Sequence, residues 1–398
     1  MNFIFKFGVI NVKIAGIIAE YNPFHNGHLY QIEKIKDNGF DFVVVAMSSN
    51  FVQRGENAVI DKWARAKSAL ENGADLVLEI PTCYCLSPAE KYAFGGVSVL
   101  NNANIIDTLV FGSESDNLSV LQKFADEISE NEQVNIFLKE SLNKGEGYAY
   151  SLDKAVERVY GKEYSDILKN PNDVLAIEYL NAMKKTNASF SPTPIKREKV
   201  LHNAKRTVDN IASGSKIREM ILKNEDFSNF VPNFESDTFK NFANIKNGER
   251  IILNTLRNLK SEDFLKIPDV NEGLEQRIIN AAKTAKNIDD FFEKAKTKRY
   301  TLSRIKRIVL CAVLQIYVYE MPPYLRVLGF SENAKLLLKE LKQKAKLPIV
   351  SSFADAKKVG KEAEKYFIKE ASYTDFYTML ENELRQSGLE FQKSVVKI

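Results

Sequence analysis

Histidine, cysteine and tryptophan are scarce in this chain of 398 residues, which holds three, three and one of them. Cys83, Cys85 and Cys311 are too few for a disulfide framework, and the spacing Cys83-Tyr84-Cys85 is not that of a zinc or redox pair. Buried reduced thiols in a cytosolic protein are the reading that fits. Long apolar runs are missing too. None reaches the roughly 18 residues that a membrane span needs, and the opening M-N-F-I-F-K-F-G-V-I-N carries Lys6 and no small-residue cleavage site, so no signal peptide is expected. Residues 1 to 11 read either as an extra edge segment or as an artefact of start-codon choice. Lys and Arg number 56 against 52 Asp and Glu, for a net charge of +4. With so small an excess, where the charges lie matters more than their sum.

Two of the three histidines fall in one tetrapeptide. The stretch Ile14 to Tyr30 reads I-A-G-I-I-A-E-Y-N-P-F-H-N-G-H-L-Y. Ile14 to Ala19 has the length and β-branching of a strand and breaks at Tyr21-Asn22-Pro23 into a turn. His25-Asn26-Gly27-His28 follows, then Leu29, Ile32 and Ile35 at helical spacing, which puts both imidazoles in the first turn of a helix. A helix start presents unpaired N–H groups and partial positive charge, so it suits phosphate. Gly27 would let a ligand approach the backbone. The plain alternative is that the histidines cap the helix. Metal ligation is not expected, because two histidines three apart without Cys or a third His are a weak metal signal.

Further along, Phe42 to Met47, Ala74 to Ile80, Ile105 to Phe111 and Phe190 to Ile195 read as strands separated by helical stretches. That alternation predicts a doubly wound parallel sheet, Rossmann-like, over a domain spanning residues 13–232. Ligands in such sheets sit at the carboxyl ends of strands. The rule selects Gly112 after the fourth strand, Arg197 after the last, and Gln53, Arg54, Glu56, Trp63 and Arg65 after the second, although Arg65 on a helix could simply be solvated. Asn172 opens a helix and is either a nucleotide contact or a cap. In I-A-S-G-S-K-I-R-E, Ser213, Ser215 and Arg218 stand at another helix start, a second phosphate element in which either hydroxyl could be the ligand.

Phe227 to Gly248 reads as a linker. From 240 to 398 the pattern is helical, with one strand near Leu347 to Ser351. Lys294, Lys296, Lys298, Arg299, Arg304, Lys306 and Arg307 crowd around Tyr300. Basic density with an aromatic inside suits a phosphate backbone, whereas a solvated helix face is the bland alternative.

The tetrapeptide matches the H-x-G-H signature of the nucleotidyltransferase superfamily, and I-A-S-G-S-K-I-R is similar to its second signature, with Ala212 and Gly214 in place of hydroxyl residues. Over nearly the whole chain, E-Y-N-P-F-H-N-G-H, Q-R-G-E, W-A-R, A-D-L-V-L-E-I-P, F-G-S-E, P-N-x-x-L and K-T-K-R-Y-T-x-x-R resemble the tRNA(Met) cytidine acetate ligases, TmcAL. The resemblance implies an enzyme that joins ATP and acetate into acetyl-adenylate and passes the acetyl group to the wobble cytidine of elongator tRNA(Met), releasing AMP and pyrophosphate. It implies ATP contacts at Ile18, Ala19, Glu20, Tyr21, Asn22, Pro23, Phe24, His25, Asn26, Gly27, His28, Leu29, Tyr30 and Gln31, and at Gly112, Asn172 and Arg197. His25 and His28 would stabilise charge on the reacting phosphates, with Ser213, Ser215 and Arg218 on the β- and γ-phosphates and Mg²⁺ arriving with the triphosphate. Lys296, Lys298, Arg299, Arg304 and Arg307 would meet the tRNA. No membrane association and no stable protein partner are expected. The alternatives are a cofactor-type adenylyltransferase and a tRNA-binding module with a vestigial nucleotide pocket.

Overall fold

The computed structural model describes residues 12–197, 210–270 and 273–398; the segment 1–11 lies outside them. Five parallel strands form the centre of the sheet: β1 (Ile14–Ala19), β2 (Phe42–Ser48), β3 (Leu76–Ile80), β4 (Thr108–Ser113) and β5 (Ser191–Lys196), in spatial order β3-β2-β1-β4-β5. The near-continuous apolar runs are explained by cover on both faces. Val43, Val44 and Val45 are wholly buried, with α1 (Asn26–Asp37), α2 (Lys62–Glu71), α3 (Ala89–Ala103) and α4 (Pro171–Lys185) among the connecting helices. The chain steps outward from β1 to β3 and then jumps to β4 on the other side of β1. Such a reversal opens a crevice at the carboxyl ends of β1 and β4.

The second half is mostly helical, as expected, with added strands. Its helices Glu249–Asn258, α6 (Leu302–Val313) and Lys361–Thr378 are present, and the strand near Leu347 is Ile349–Val350. The chain also returns to the sheet. β6 (Leu325–Phe330) pairs antiparallel with β3, placing Leu76 opposite Phe330, and β7 (Val396–Lys397) pairs with β6. The physical reason is the edge of β3, whose unpaired backbone groups would otherwise be exposed. The sheet is therefore mixed, and the boundary expected near 232–240 is crossed by its hydrogen bonds.

A buried charge cluster fastens the same seam. Lys62 on α2 pairs with Glu79 on β3 at 2.6 Å and with Glu390, which Arg326 of β6 reaches at 3.4 Å. The expected linker is packed as well. Phe227, Phe234 and Phe239 lie with ring centroids 4.9–5.7 Å apart against Val59, Ile60 and Ile217, which seats α5 (Gly214–Leu222) beside the crevice.

Arg65 is not a solvated helix residue; it has no exposed surface. Its guanidinium donates to the carbonyls of Glu20 (2.6 Å), Ser48 (3.1 Å), Ile60 (3.2 Å) and Ser49, so one side chain ties together the carboxyl ends of β1 and β2 and the loop beyond. The planar fork suits four fixed acceptors, and removing it strands them in the interior. Arg65→Met is expected to cost about 3 kcal/mol of unfolding free energy, read by urea denaturation; a loss below about 1 kcal/mol would show that the carbonyls find other partners.

Candidate active site

A cavity of about 440 Å³ occupies the crevice at the switch between β1 and β4. One end of it is built from two helix starts. α1 begins at His25, whose Nδ1 accepts from the Gly27 N–H at 3.1 Å, while the His28 Nδ1 accepts from the His25 N–H at 3.2 Å. The histidines thus do cap the helix, and the capping bonds occupy one nitrogen of each ring. With Nδ1 taken by a backbone donor, a neutral imidazole carries its proton on Nε2 and is a donor there. The two rings stack at 3.7 Å, and His28 is held on its other side by Tyr21 at 4.8 Å and Phe24 at 5.5 Å.

Gly27 lines the cavity and also makes room for a neighbouring side chain. A Cβ there would lie 2.9 Å from Cε1 of His25, so glycine makes room for the imidazole that caps its own amide. α5 supplies the second helix start. Ser213 Oγ caps it by accepting from the Lys216 N–H at 3.2 Å, and the hydroxyl proton is not consumed by that bond. The Gly214 Cβ position is 3.8 Å from the His25 ring, so the two starts adjoin. Arg218 is oriented by donating to the Asn22 carbonyl at 2.8 Å and to Ser215 Oγ at 3.3 Å.

At the opposite end, three residues far apart in sequence touch one another. Arg197 donates to Asn172 Oδ1 at 2.7 Å, and Asn172 donates through Nδ2 to Glu114. The missing side chain at Gly112 leaves 3.0 Å between a Cβ there and the Arg197 Cδ, so the arginine stem lies across the strand end. Asn172 is not the cap of α4, a position held by Asn170. It is fixed from beside by Asp173, a fully buried carboxylate that accepts from Ser113 Oγ and from the Glu114 and Ser115 amides.

The cavity is lined by Ile18, Ala19, Glu20, Tyr21, Asn22, His25, Gly27, His28, Tyr30 and Gln31, by Gly112, Asn172 and Arg197, and by Ser213, Ser215 and Arg218. Four residues of the expected ATP segment do not line it. Pro23 and Phe24 are buried under the turn, Leu29 packs into the core, and Asn26 turns away to donate to the carbonyls of Asn210 (2.7 Å) and Asn229 (2.9 Å), clamping α1 to the segments before and after α5. Gln53, Arg54 and Glu56 also line the cavity from a short hairpin, Phe51–Val52 with Glu56–Asn57. Trp63 and Arg65 do not line it. Tyr92 and Tyr179 are linings that the sequence did not single out, since an aromatic on the inner face of a helix looks like any core residue.

Glu56 and Glu20 are the carboxylates of the lining, and their settings oppose each other. Burial alone would push Glu56 up, but Lys306 at 2.6 Å and Arg218 at 3.7 Å hold it below the ordinary value. Burial wins at Glu20, whose carboxyl is raised although the Gln53 N–H at 2.9 Å and the charges of Arg218 and Arg54 pull it down. Lys306 comes from α6 in the second half. Gly55, with φ +74° and its Cβ position 2.5 Å from the Arg307 nitrogen, is the only residue type that lets the hairpin sit so close to α6.

The expected tRNA-binding residues divide in two. Lys298 and Arg299 are exposed, and Lys296 makes a surface pair with Glu293 at 2.8 Å. Arg304 donates to the Asp269 carbonyl at 2.6 Å and Arg307 pairs with the Asp269 carboxylate at 3.3 Å, both half-buried and committed to internal contacts.

A family model described as HIGH Nucleotidyl Transferase matches residues 12–391. The tRNA(Met) cytidine acetate ligase of Caldanaerobacter subterraneus subsp. tengcongensis is 39% identical over 97% of this chain and 100% of its own, and that of Thermoanaerobacter sp. is 37% identical with the same coverage. The chain belongs to the TmcAL family of HIGH nucleotidyltransferases. Among solved structures, apo Thermotoga maritima TmcAL superposes with a TM-score of 0.90 at 30% identity over 97% of this chain and all of that one, and the same protein bound with alpha-thio ATP gives 0.87.

Because Gly27 makes space for the His25 ring, Gly27→Ala is expected to weaken binding of an ATP analogue about tenfold or more by swinging that ring out of place. Calorimetric titration checks it, and unaltered affinity would show that the imidazole position is not what the cavity depends on.

Proposed function

We propose that the chain is an ATP-dependent ligase that acetylates the exocyclic amine of the wobble cytidine in elongator tRNA(Met) through an acetyl-adenylate intermediate. The observation that carries the reading is the convergence of two helix starts, two Nε2 donors and the Arg218 guanidinium on one wall of one cavity. Supporting it are the names of the relatives and the ATP analogue bound by the Thermotoga protein.

In the first step an oxygen of acetate attacks the α-phosphorus of ATP in line, and pyrophosphate leaves with the bonding electrons. Acetate is already an anion, so the residues need only position it and stabilise negative charge as it grows. His25 and His28 donate from Nε2 to phosphate oxygens. Ser213, Ser215, the first amides of α5 and Arg218 hold the β- and γ-phosphates. Gly112, Asn172 and Arg197 hold the nucleoside end. No group of three or more His, Cys, Asp or Glu side chains able to hold a metal occurs among the described residues, so a Mg²⁺ would ride on the triphosphate oxygens, where it neutralises charge. In the second step the cytidine amine attacks the acetyl carbon and AMP departs.

Lys298 and Arg299, exposed on the loop before α6, are the foremost contacts for the tRNA backbone. Lys296 joins them, since a surface ion pair is easily exchanged for a phosphate. Arg304 and Arg307 shape that loop through Asp269. Among the described residues no helix is long and apolar enough to cross a membrane, and substrates of this kind point to the cytoplasm.

Incubation with labelled acetate, ATP and bulk tRNA tests the reading. Acetylated cytidine supports it; pyrophosphate release with other acceptors, or tRNA binding without ATP turnover, refutes it. In an exchange assay with labelled pyrophosphate, His28→Ala is expected to lower acetate-dependent ATP–pyrophosphate exchange about 10²-fold, the usual cost of losing one preorganised donor, and near-normal exchange would remove His28 from the mechanism.

A further inference from the structure

The second step needs a proton acceptor that the first does not. When the amine nitrogen bonds to the acetyl carbon and the acyl C–O bond to AMP breaks, the electron pair leaves with AMP and one N–H proton must go elsewhere. The titratable side chains of the cavity can be sorted by whether they can take it. His25 and His28 cannot in their neutral form, because each Nδ1 already accepts a backbone N–H and each Nε2 carries the proton. Tyr21, Tyr30, Tyr92 and Tyr179 are phenols and so serve as donors, with burial pushing Tyr21, Tyr92 and Tyr179 upward; Arg54, Lys196, Arg197 and Arg218 are cations with no lone pair to offer. Glu56 is clasped by Lys306 and Arg218, so its lone pairs are engaged and its basicity is low.

Glu20 is left, and its setting is the reverse. It follows directly on β1, its main chain is pinned by Arg65 through the carbonyl, and its Oε1 accepts from the Gln53 N–H at 2.9 Å. Among the described residues it makes no ion pair within 4.0 Å. We propose that Glu20 is the general base of the acetyl-transfer step, its carboxylate taking the proton from the cytidine amine as the nitrogen attacks the acetyl-adenylate. The proposal rests on the ligase reading above. Two carboxylates in one cavity, one held ionised by cations and one left to exchange a proton, is how a single site separates charge stabilisation from proton transfer. The groups facing Glu20 are Arg54, Glu56 and Arg218, with Arg65, Tyr92 and Tyr179 nearby and the histidine pair on the same cavity wall. The raised carboxyl agrees with this role, because burial brings it nearer the pH at which it must accept.

The test compares the two half-reactions in the full chain. Exchange of labelled pyrophosphate into ATP with acetate present reads the first, and single-turnover transfer from the acetyl-adenylate formed on the enzyme to tRNA reads the second. Glu20→Gln is nearly isosteric and keeps an oxygen for the Gln53 amide. It is expected to lower the ratio of transfer to exchange about 10²-fold. Transfer by the unsubstituted enzyme should rise with pH as Glu20 ionises, and this rise should vanish in Glu20→Gln and persist, at a lower rate, in Glu20→Asp. An unchanged ratio, or a pH profile that survives in Glu20→Gln, would overturn the proposal and leave the ligase reading intact. Lack of acetate-dependent exchange in the unsubstituted enzyme would overturn both.

Discussion

Two backbone N–H groups at the start of α1 each donate to an imidazole Nδ1, and the rest of the site is arranged around that pair of bonds. They settle which edge of each ring faces outward as a donor. They also explain the neighbours. Gly27 has no side chain because His25 folds back over it, and Asn26 reaches across to the lead-in of α5 so that the second helix start cannot drift from the first. Capping, which looks in the sequence like an explanation that competes with phosphate binding, takes the Nδ1 edge of each ring and so does not exclude the phosphate contact proposed above.

The central sheet and the strand–turn–helix unit that carries the histidines could be read from the chain because both depend on local pattern. Apolar runs of strand length, a turn at Tyr21 to Pro23 and helical spacing after His28 are all set within a few residues. The strand-end rule selected Gly112 and Arg197, but nothing in their own neighbourhoods says that β4 and β5 end beside the start of α4, where Asn172 meets Arg197. The return of the chain to the sheet was not legible. Leu325 to Phe330 is a six-residue apolar run interrupted by Arg326 and Gly329, and its pairing partner lies on β3, far back in the sequence. Nor was the burial of Arg65, because a guanidinium on a helix is buried only when four carbonyls converge on it, and convergence is a tertiary property.

Basic residues show the same limit from the other side. Seven cations around Tyr300 suggest one electropositive surface, yet Arg304 and Arg307 turn inward to Asp269 and Lys306 turns toward Glu56. Counting charges along a chain overstates a surface whenever a single acidic residue from another element can gather several of them.

That inward turn of Lys306 is what makes the two halves one machine. From α6 the ammonium reaches Glu56 in the hairpin, Glu56 reaches Arg218 on α5, and Arg218 reaches the Asn22 carbonyl in the turn that carries the histidines. Without Lys306, Glu56 would lose its nearest counter-charge and keep Arg218 and Arg54, and burial would push its carboxyl toward the neutral form. A neutral Glu56 would no longer hold the guanidinium electrostatically. Because Lys306 lies on the helix that follows Lys298 and Arg299, the exposed loop is joined through Glu56, which lines the cavity, to Arg218.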